Sequence, residues 1–191
     1  MSQTDFGSND FQVATGVSRE TMSRLELFAD ALIKWNRSVN LVSETSLADV
    51  WRRHFLDSAQ LLALAPSTSQ TWIDLGAGAG FPGLVLAIMG APDVHLIESN
   101  QRKCEFLRAT ARQTATNVTI HCQRIEDMTK LHADVITARA IGPLAKLIDL
   151  AGLFATEDTL GLFIKGSKYD AELTALAKYP TIQLELVKSR S

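Results

Sequence analysis

The chain has 191 residues, 46% of them apolar and 21% charged, the profile of a folded globular protein rather than a disordered or fibrous one. Nineteen Lys and Arg against 21 Asp and Glu leave a net charge of -2, which excludes recognition of nucleic acid through an overall basic surface. The longest unbroken apolar run, Leu84–Met89, is far below the ~20 residues that cross a bilayer.

Residues 1–17 are polar, without the charged and apolar blocks of a secretory signal, and are expected to be a flexible N-terminus. From Ser18 to Trp35, Met22, Leu25, Phe28, Leu32 and Trp35 recur at three and four, the spacing of one helical face, with Ser18 as N-cap. A second helix is predicted from Ser46 to Leu64, its apolar face carried by Leu47, Val50, Trp51, Phe55, Ala59 and Leu62. Pro66-Ser67-Thr68-Ser69 reads as a short linker, so residues 18–66 form a helical region and 67–191 a second domain.

Past the linker the period changes. Strands are predicted at Thr71–Gly76, Asp93–Glu98, Val118–Gln123, Ala133–Arg139 and Thr159–Gly166, with a last one at Thr181–Val187. Helices are predicted between them at Phe81–Gly90, Gln101–Thr116, Pro143–Phe154 and Tyr169–Tyr179. This alternation implies βαβ units, right-handed crossovers and a doubly wound α/β sheet. Cys104 and Cys122 have neither zinc-ligand spacing nor disulfide density, so no metal site and a reducing, cytoplasmic setting are expected.

The chemistry concentrates in Asp74-Leu75-Gly76-Ala77-Gly78-Ala79-Gly80-Phe81-Pro82-Gly83, a glycine turn between a strand and a helix. Glycines at 76 and 78 let a ligand lie against the main chain. The nicotinamide pattern wants its third glycine where Phe81 stands. Asp74 at the strand end disfavours a pyrophosphate and suits a ligand with an amino group and a sulfonium, S-adenosylmethionine (SAM). Glu98, closing the next strand, can accept both ribose hydroxyls of an adenosine, and by itself fits NAD equally well. An NAD-type oxidoreductase therefore stands as the alternative enzyme, and an RNA-binding protein with a silent SAM pocket as the alternative class.

The same stretch resembles the SAM loop of the bacterial small-subunit rRNA guanine-N7 methyltransferases, also called glucose-inhibited division protein B. So do Trp35-Asn36 with Asn40-Leu41, Arg53-His54-Phe55-Leu56-Asp57-Ser58, Arg124-Ile125-Glu126-Asp127, Ala138-Arg139-Ala140 and Phe163-Ile164-Lys165-Gly166. The resemblance implies a Rossmann-like SAM-dependent methyltransferase sheet with a helical N-terminal extension. It implies methyl transfer to N7 of a guanine in the decoding-region loop of 16S rRNA, with S-adenosylhomocysteine as product. Carried over by position, Gly76, Phe81, Ile125, Glu126 and Arg139 match the family's cofactor contacts, and Glu98 its acidic ribose position, often Asp. The partner implied is 16S rRNA in the small subunit or an assembly intermediate, met by a monomer without any membrane. The family usually carries a further apolar strand where this chain stops at Ser189-Arg190-Ser191, so a short or strand-lacking domain is expected.

Guanine N7 has a lone pair outside the Watson–Crick edge and attacks a sulfonium methyl without first losing a proton. No general base is required; alignment alone can supply up to about 7–11 kcal/mol. Consistently, the chain lacks an Asn-Pro-Pro-aromatic run, and neither cysteine follows a proline. Arg139, at a strand end, is the candidate catalytic residue, its guanidinium suited to guanine O6, the cofactor carboxylate or a phosphate. Lys165, Arg53, Arg102 and Lys103 are candidate RNA contacts, each weighed against a solvated surface charge. Arg108 and Arg112 share the segment of the last two. His54 reads as a structural histidine.

Overall fold

The computed structural model describes residues 6–129, 131–139, 141–166, 170–173, 178–179 and 182–191. Five strands, β1 (Trp72–Leu75), β2 (Val94–Ile97), β3 (Thr119–His121), β4 (Val135–Arg139) and β5 (Leu160–Ile164), form one sheet. All four pairings are parallel, in the order β3-β2-β1-β4-β5. The order reverses between β1 and β4, which opens a crevice at the carboxyl ends of those strands.

Side chains alternate across the sheet and divide the core in two. Trp72, Val94, Leu96, Val135 and Leu162 face the helices α2 (Arg19–Asn36), α5 (Gly83–Ile88) and α6 (Gln101–Gln113). Ile73, Leu75, Ile97, Ile136 and Ala138 face α7 (Leu144–Ala151) through Leu144, Leu147 and Leu150. Strands buried on both faces have near-continuous apolar runs, which is why they stand out in the sequence. α6 starts where Asn100 accepts from the Lys103 N–H, and α2 where Ser18 accepts from that of Thr21.

Three expectations are corrected. Ser8–Thr15, within the stretch expected to be flexible, is a helix, α1, because Phe11 is fully buried against Trp51 and Phe55. The single helix expected over Ser46–Leu64 is four pieces: α3 (Glu44–Leu47), a π-helical turn at Trp51–Leu56, α4 (Asp57–Ala59) and a 3₁₀ segment at Gln60–Leu64. Its cap is Ser43, which accepts from Ser46, and the wider π turn buries three consecutive side chains, His54, Phe55 and Leu56. Within the expected strand Thr181–Val187, residues 182–187 form none; Ile182, Leu184, Leu186 and Val187 stay exposed, without a ladder partner. Thr181 lies outside the described residues, as do Ala140 and much of the helix expected over Tyr169–Tyr179, of which α8 (Asp170–Leu173) is described.

An aromatic cluster joins the N-terminal helices to the glycine turn. Phe28 of α2 stacks on Phe81 with centroids 5.0 Å apart, and Phe55 meets Phe81 edge-on at 5.2 Å. Pairs of this kind contribute ~0.5–1.5 kcal/mol each beyond the area they bury. The helical region therefore shapes the site directly.

Candidate active site

The turn after β1 is built on left-handed glycines: φ is 60° at Gly76, 55° at Gly78 and 86° at Gly80. The Ala77 N–H donates to the Ile97 carbonyl and the Gly80 N–H to that of Ala77, so the turn closes on itself beside β2. Glu98, just past β2, holds the other side. Its carboxylate accepts from the Gly78 N–H at 2.9 Å and the Asn100 N–H at 2.7 Å. Its own N–H donates to the His121 carbonyl at 3.0 Å, and its carbonyl accepts from the Cys104 thiol at 3.1 Å. Both oxygens of this buried carboxylate are thus held by main-chain donors at the carboxyl end of β2.

Two loop residues sit elsewhere than the sequence reading places them. Asp74, expected to face the ligand, is 1% exposed and lies beneath the turn. One carboxyl oxygen accepts from the Gly83 N–H at 3.0 Å and the other from the Thr137 hydroxyl at 2.8 Å. Asp74 is a brace for the loop. The ring of Phe81, expected at the cofactor, is likewise buried in the aromatic cluster, which leaves only its main chain to meet a ligand.

Burial lifts the Asp74 carboxyl from its ordinary 3.8 to about 7, against the Thr137 and Gly83 bonds and with help from the Glu98 charge. Between those values the folded chain holds a proton that the unfolded chain has lost, so stability falls as pH rises through the window and levels above it. Asp74→Asn keeps an acceptor for Gly83, and the Thr137 hydroxyl can turn to accept from the new amide. Melting curves of this variant are expected to lose much of the decline between about pH 4 and pH 7.

Arg139 ends β4, on the far side of the switch point. Its guanidinium donates to Nδ1 of His54, which arrives from the π turn 85 residues earlier. Burial, then the charges of Arg139 and Arg53, hold the His54 pKa down at about 3, so the ring is neutral. Accepting at Nδ1 puts the proton on Nε2, a buried atom with no partner among the described residues. The ring rests on Phe81 at 4.8 Å. Burial lowers the Arg139 pKa, Asp57 offsets part of this and Arg53 adds to it. Among the described residues no carboxylate pairs with Arg139. A half-buried guanidinium with one neutral acceptor is a seat for an anion.

The remaining candidates divide. Ile125 and Glu126 form a 3₁₀ turn past β3, with Ile125 against the α7-side core and the Glu126 carboxylate exposed, 3.7 Å from Arg124. Arg53 is exposed beside the His54–Arg139 pair, and Arg102 and Lys103 occupy the first turn of α6. Lys165, expected to be an RNA contact, is already taken: its ammonium meets Glu172 at 2.7 Å and the Gly142 carbonyl at 2.9 Å. Glu172 also accepts from the Leu144 N–H, so this trio clamps α8 to the start of α7. The residues missed in the sequence are Thr137 and, as a site residue, His54; the Arg53–Ser58 segment signals His54 but nothing along the chain signals its pairing with Arg139. Among the described residues no group of three or more His, Cys, Asp or Glu could hold a metal, and no helix is long and apolar enough to cross a membrane.

Comparison with known proteins gives this geometry its context. Residues 21–190 match the family model described as rRNA small subunit methyltransferase G. The chain is 49% identical over 181 residues to ribosomal RNA small subunit methyltransferase G of Rhodospirillum rubrum, covering 95% of this chain and 90% of that one. It is 50% identical over 183 residues to the protein of that name from Paramagnetospirillum magneticum, covering 96% and 89%. In fold it is similar to the ribosomal protein L11 methylase of Lactobacillus delbrueckii subsp. bulgaricus, with TM-score 0.56 at 18% identity over 70% of this chain and 72% of that one. With the glycine turn, the Glu98 carboxylate and the strand-end arginine at the carboxyl ends of neighbouring strands, and a match running almost the whole length, the chain belongs to the rRNA small subunit methyltransferase G family.

Proposed function

We propose that this chain transfers the methyl group of SAM to N7 of a guanine in the decoding-region loop of 16S rRNA. The observation that carries the reading is the single edge at which the left-handed turn Gly76–Gly80, the fixed carboxylate of Glu98 and the guanidinium of Arg139, bonded to His54 and without a carboxylate partner among the described residues, meet, in a chain of this family. Gly76 and Gly78 would form the floor under the cofactor once the Ile141 side chain, which lies against Gly76, moves aside, with the main chain of Phe81 beside them. Glu98 takes the ribose hydroxyls, exchanging part of its bond to Gly78 for them. The Ile125 N–H and the Glu126 carboxylate read the adenine edge. Arg139 fixes the cofactor carboxylate or the guanine, and its charge orients the methyl donor against the nucleophile. SAM supplies the electrophilic methyl; no residue has to remove a proton first.

Arg53, Arg102 and Lys103 face the RNA, which is met as the small subunit or an assembly intermediate by a monomer in the cytoplasm. Near-neutral overall charge suits such a target, because a folded subunit is selected by shape and a few local cations. Titration calorimetry with SAM and with NAD separates this reading from a dinucleotide enzyme: SAM binds and NAD does not. Glu98→Ala is expected to weaken SAM by roughly tenfold, the loss of hydrogen bonds to a charged acceptor. Equal affinity for NAD, or an unchanged SAM affinity in that variant, contradicts the placement.

A further inference from the structure

A concave notch of about 310 Å³ opens between the end of α2 and the start of α6. Arg37, Arg102 and Lys103 line it, with Ser38, Asn40 and Asn100 between them, and no carboxylate contributes to its wall. None of the three cations has an ion-pair partner among the described residues. Both walls are braced. On one, the Asn36 side-chain oxygen accepts from the Leu41 and Val42 N–H groups at 3.0 Å each, and the Ser38 and Val39 N–H groups both bond the Trp35 carbonyl. On the other, Asn100 caps α6 through the Lys103 N–H and donates its own N–H to Glu98. The notch therefore adjoins the ribose side of the crevice.

Three cations gathered in one concavity repel one another unless an anion lies among them. SAM's one anionic group is its methionine carboxylate, which the reading above sets toward Arg139 rather than the ribose side, so the anion in the notch is not the cofactor's. The volume exceeds a lone phosphate group and accommodates a stretch of sugar–phosphate backbone, with the Asn40 and Asn100 amides placed for sugar hydroxyls or phosphate oxygens. We infer that the Arg37–Arg102–Lys103 notch seats a phosphodiester segment of the substrate RNA and sets the register at which the target guanine enters the crevice. This rests on the methyltransferase reading above and adds Arg37, which no motif singles out.

The test uses the full chain and small subunits from cells lacking the protein. Arg37→Glu combined with Arg102→Glu is expected to raise the KM for subunits at least about tenfold, well beyond any fall in kcat, with SAM affinity by calorimetry unchanged. The plot of log kcat/KM against log salt becomes shallower by about 1–2, as contacts to phosphate are lost. Arg19→Glu, at the opposite end of α2 and about 27 Å away, controls for overall charge and leaves KM within about twofold. An unchanged KM and salt slope overturns the inference, as does an equal rise in KM for the Arg19 variant or a fall in SAM affinity that accounts for the rate. Should the wild-type protein transfer no methyl to subunits, the proposed function fails by itself. Co-sedimentation with subunits then decides the notch, equal binding by wild type and double variant overturning it.

Discussion

Arg139→Ala is expected to lower kcat/KM for methyl transfer to small subunits by roughly a hundredfold or more, the order seen when one preorganised charged donor is removed from a water-poor site. The guanidinium is half-buried, lacks a carboxylate partner among the described residues and is steadied by one neutral ring nitrogen, so its charge is available to an incoming anion. Stability changes little, because two effects oppose each other: a desolvated cation is removed, and His54 Nδ1 loses its donor. Arg139→Lys is also impaired, since an ammonium keeps the charge but not the planar fork. Steady-state assays with labelled SAM, alongside thermal melts, check both halves. A near wild-type rate in the alanine variant contradicts the role given to this residue.

Gly83→Val is expected to destabilise the fold by about 3 kcal/mol or more and abolish cofactor binding with it. The backbone at Gly83 is unstrained; space is what requires glycine. A Cβ there lies 2.4 Å from Leu96 Cδ2, 2.6 Å from Asp74 Cβ and 2.7 Å from Asp74 Oδ2. Relief would push the first turn of α5 off β1 and break the Gly83 N–H bond to Asp74, leaving a buried carboxyl short of a donor. Gly90→Ala is the matched control: φ is 108° there and nothing lies within 4 Å, so only a backbone cost of about 1–2 kcal/mol is expected and SAM affinity is kept. Chemical denaturation measures both variants. Equal stability of the two contradicts the packing argument.

These outcomes rest on features legible to different degrees along the chain. β1, β2 and β4 stand out because a parallel strand buried on both faces is a largely apolar run, β3 and β5, partly exposed, because of their β-branched and apolar residues, and α6 because Asn100 is a strong cap. The glycine turn and Glu98 are visible for the same local reason, residue type following from backbone shape. What lies under the turn is not local. Whether Asp74 and Phe81 point at a ligand or inward depends on Thr137 and Phe28, far away in sequence, and both prove to be occupied inward. α1 escapes notice because one ring, Phe11, fixes an otherwise polar segment. The apolar alternation of Ile182, Leu184 and Leu186 has a strand's period, yet period alone forms no strand without a neighbour to complete its hydrogen bonds.

The most direct trial of the whole account is transfer of a labelled methyl from SAM to small subunits isolated from cells lacking this protein, followed by identification of the modified base. The account predicts label on N7 of one guanine in the decoding-region loop of 16S rRNA, with kcat/KM for that labelling lower by about a hundredfold or more for Arg139→Ala. Label on protein, on another position of the RNA, or on no subunit component at all contradicts it.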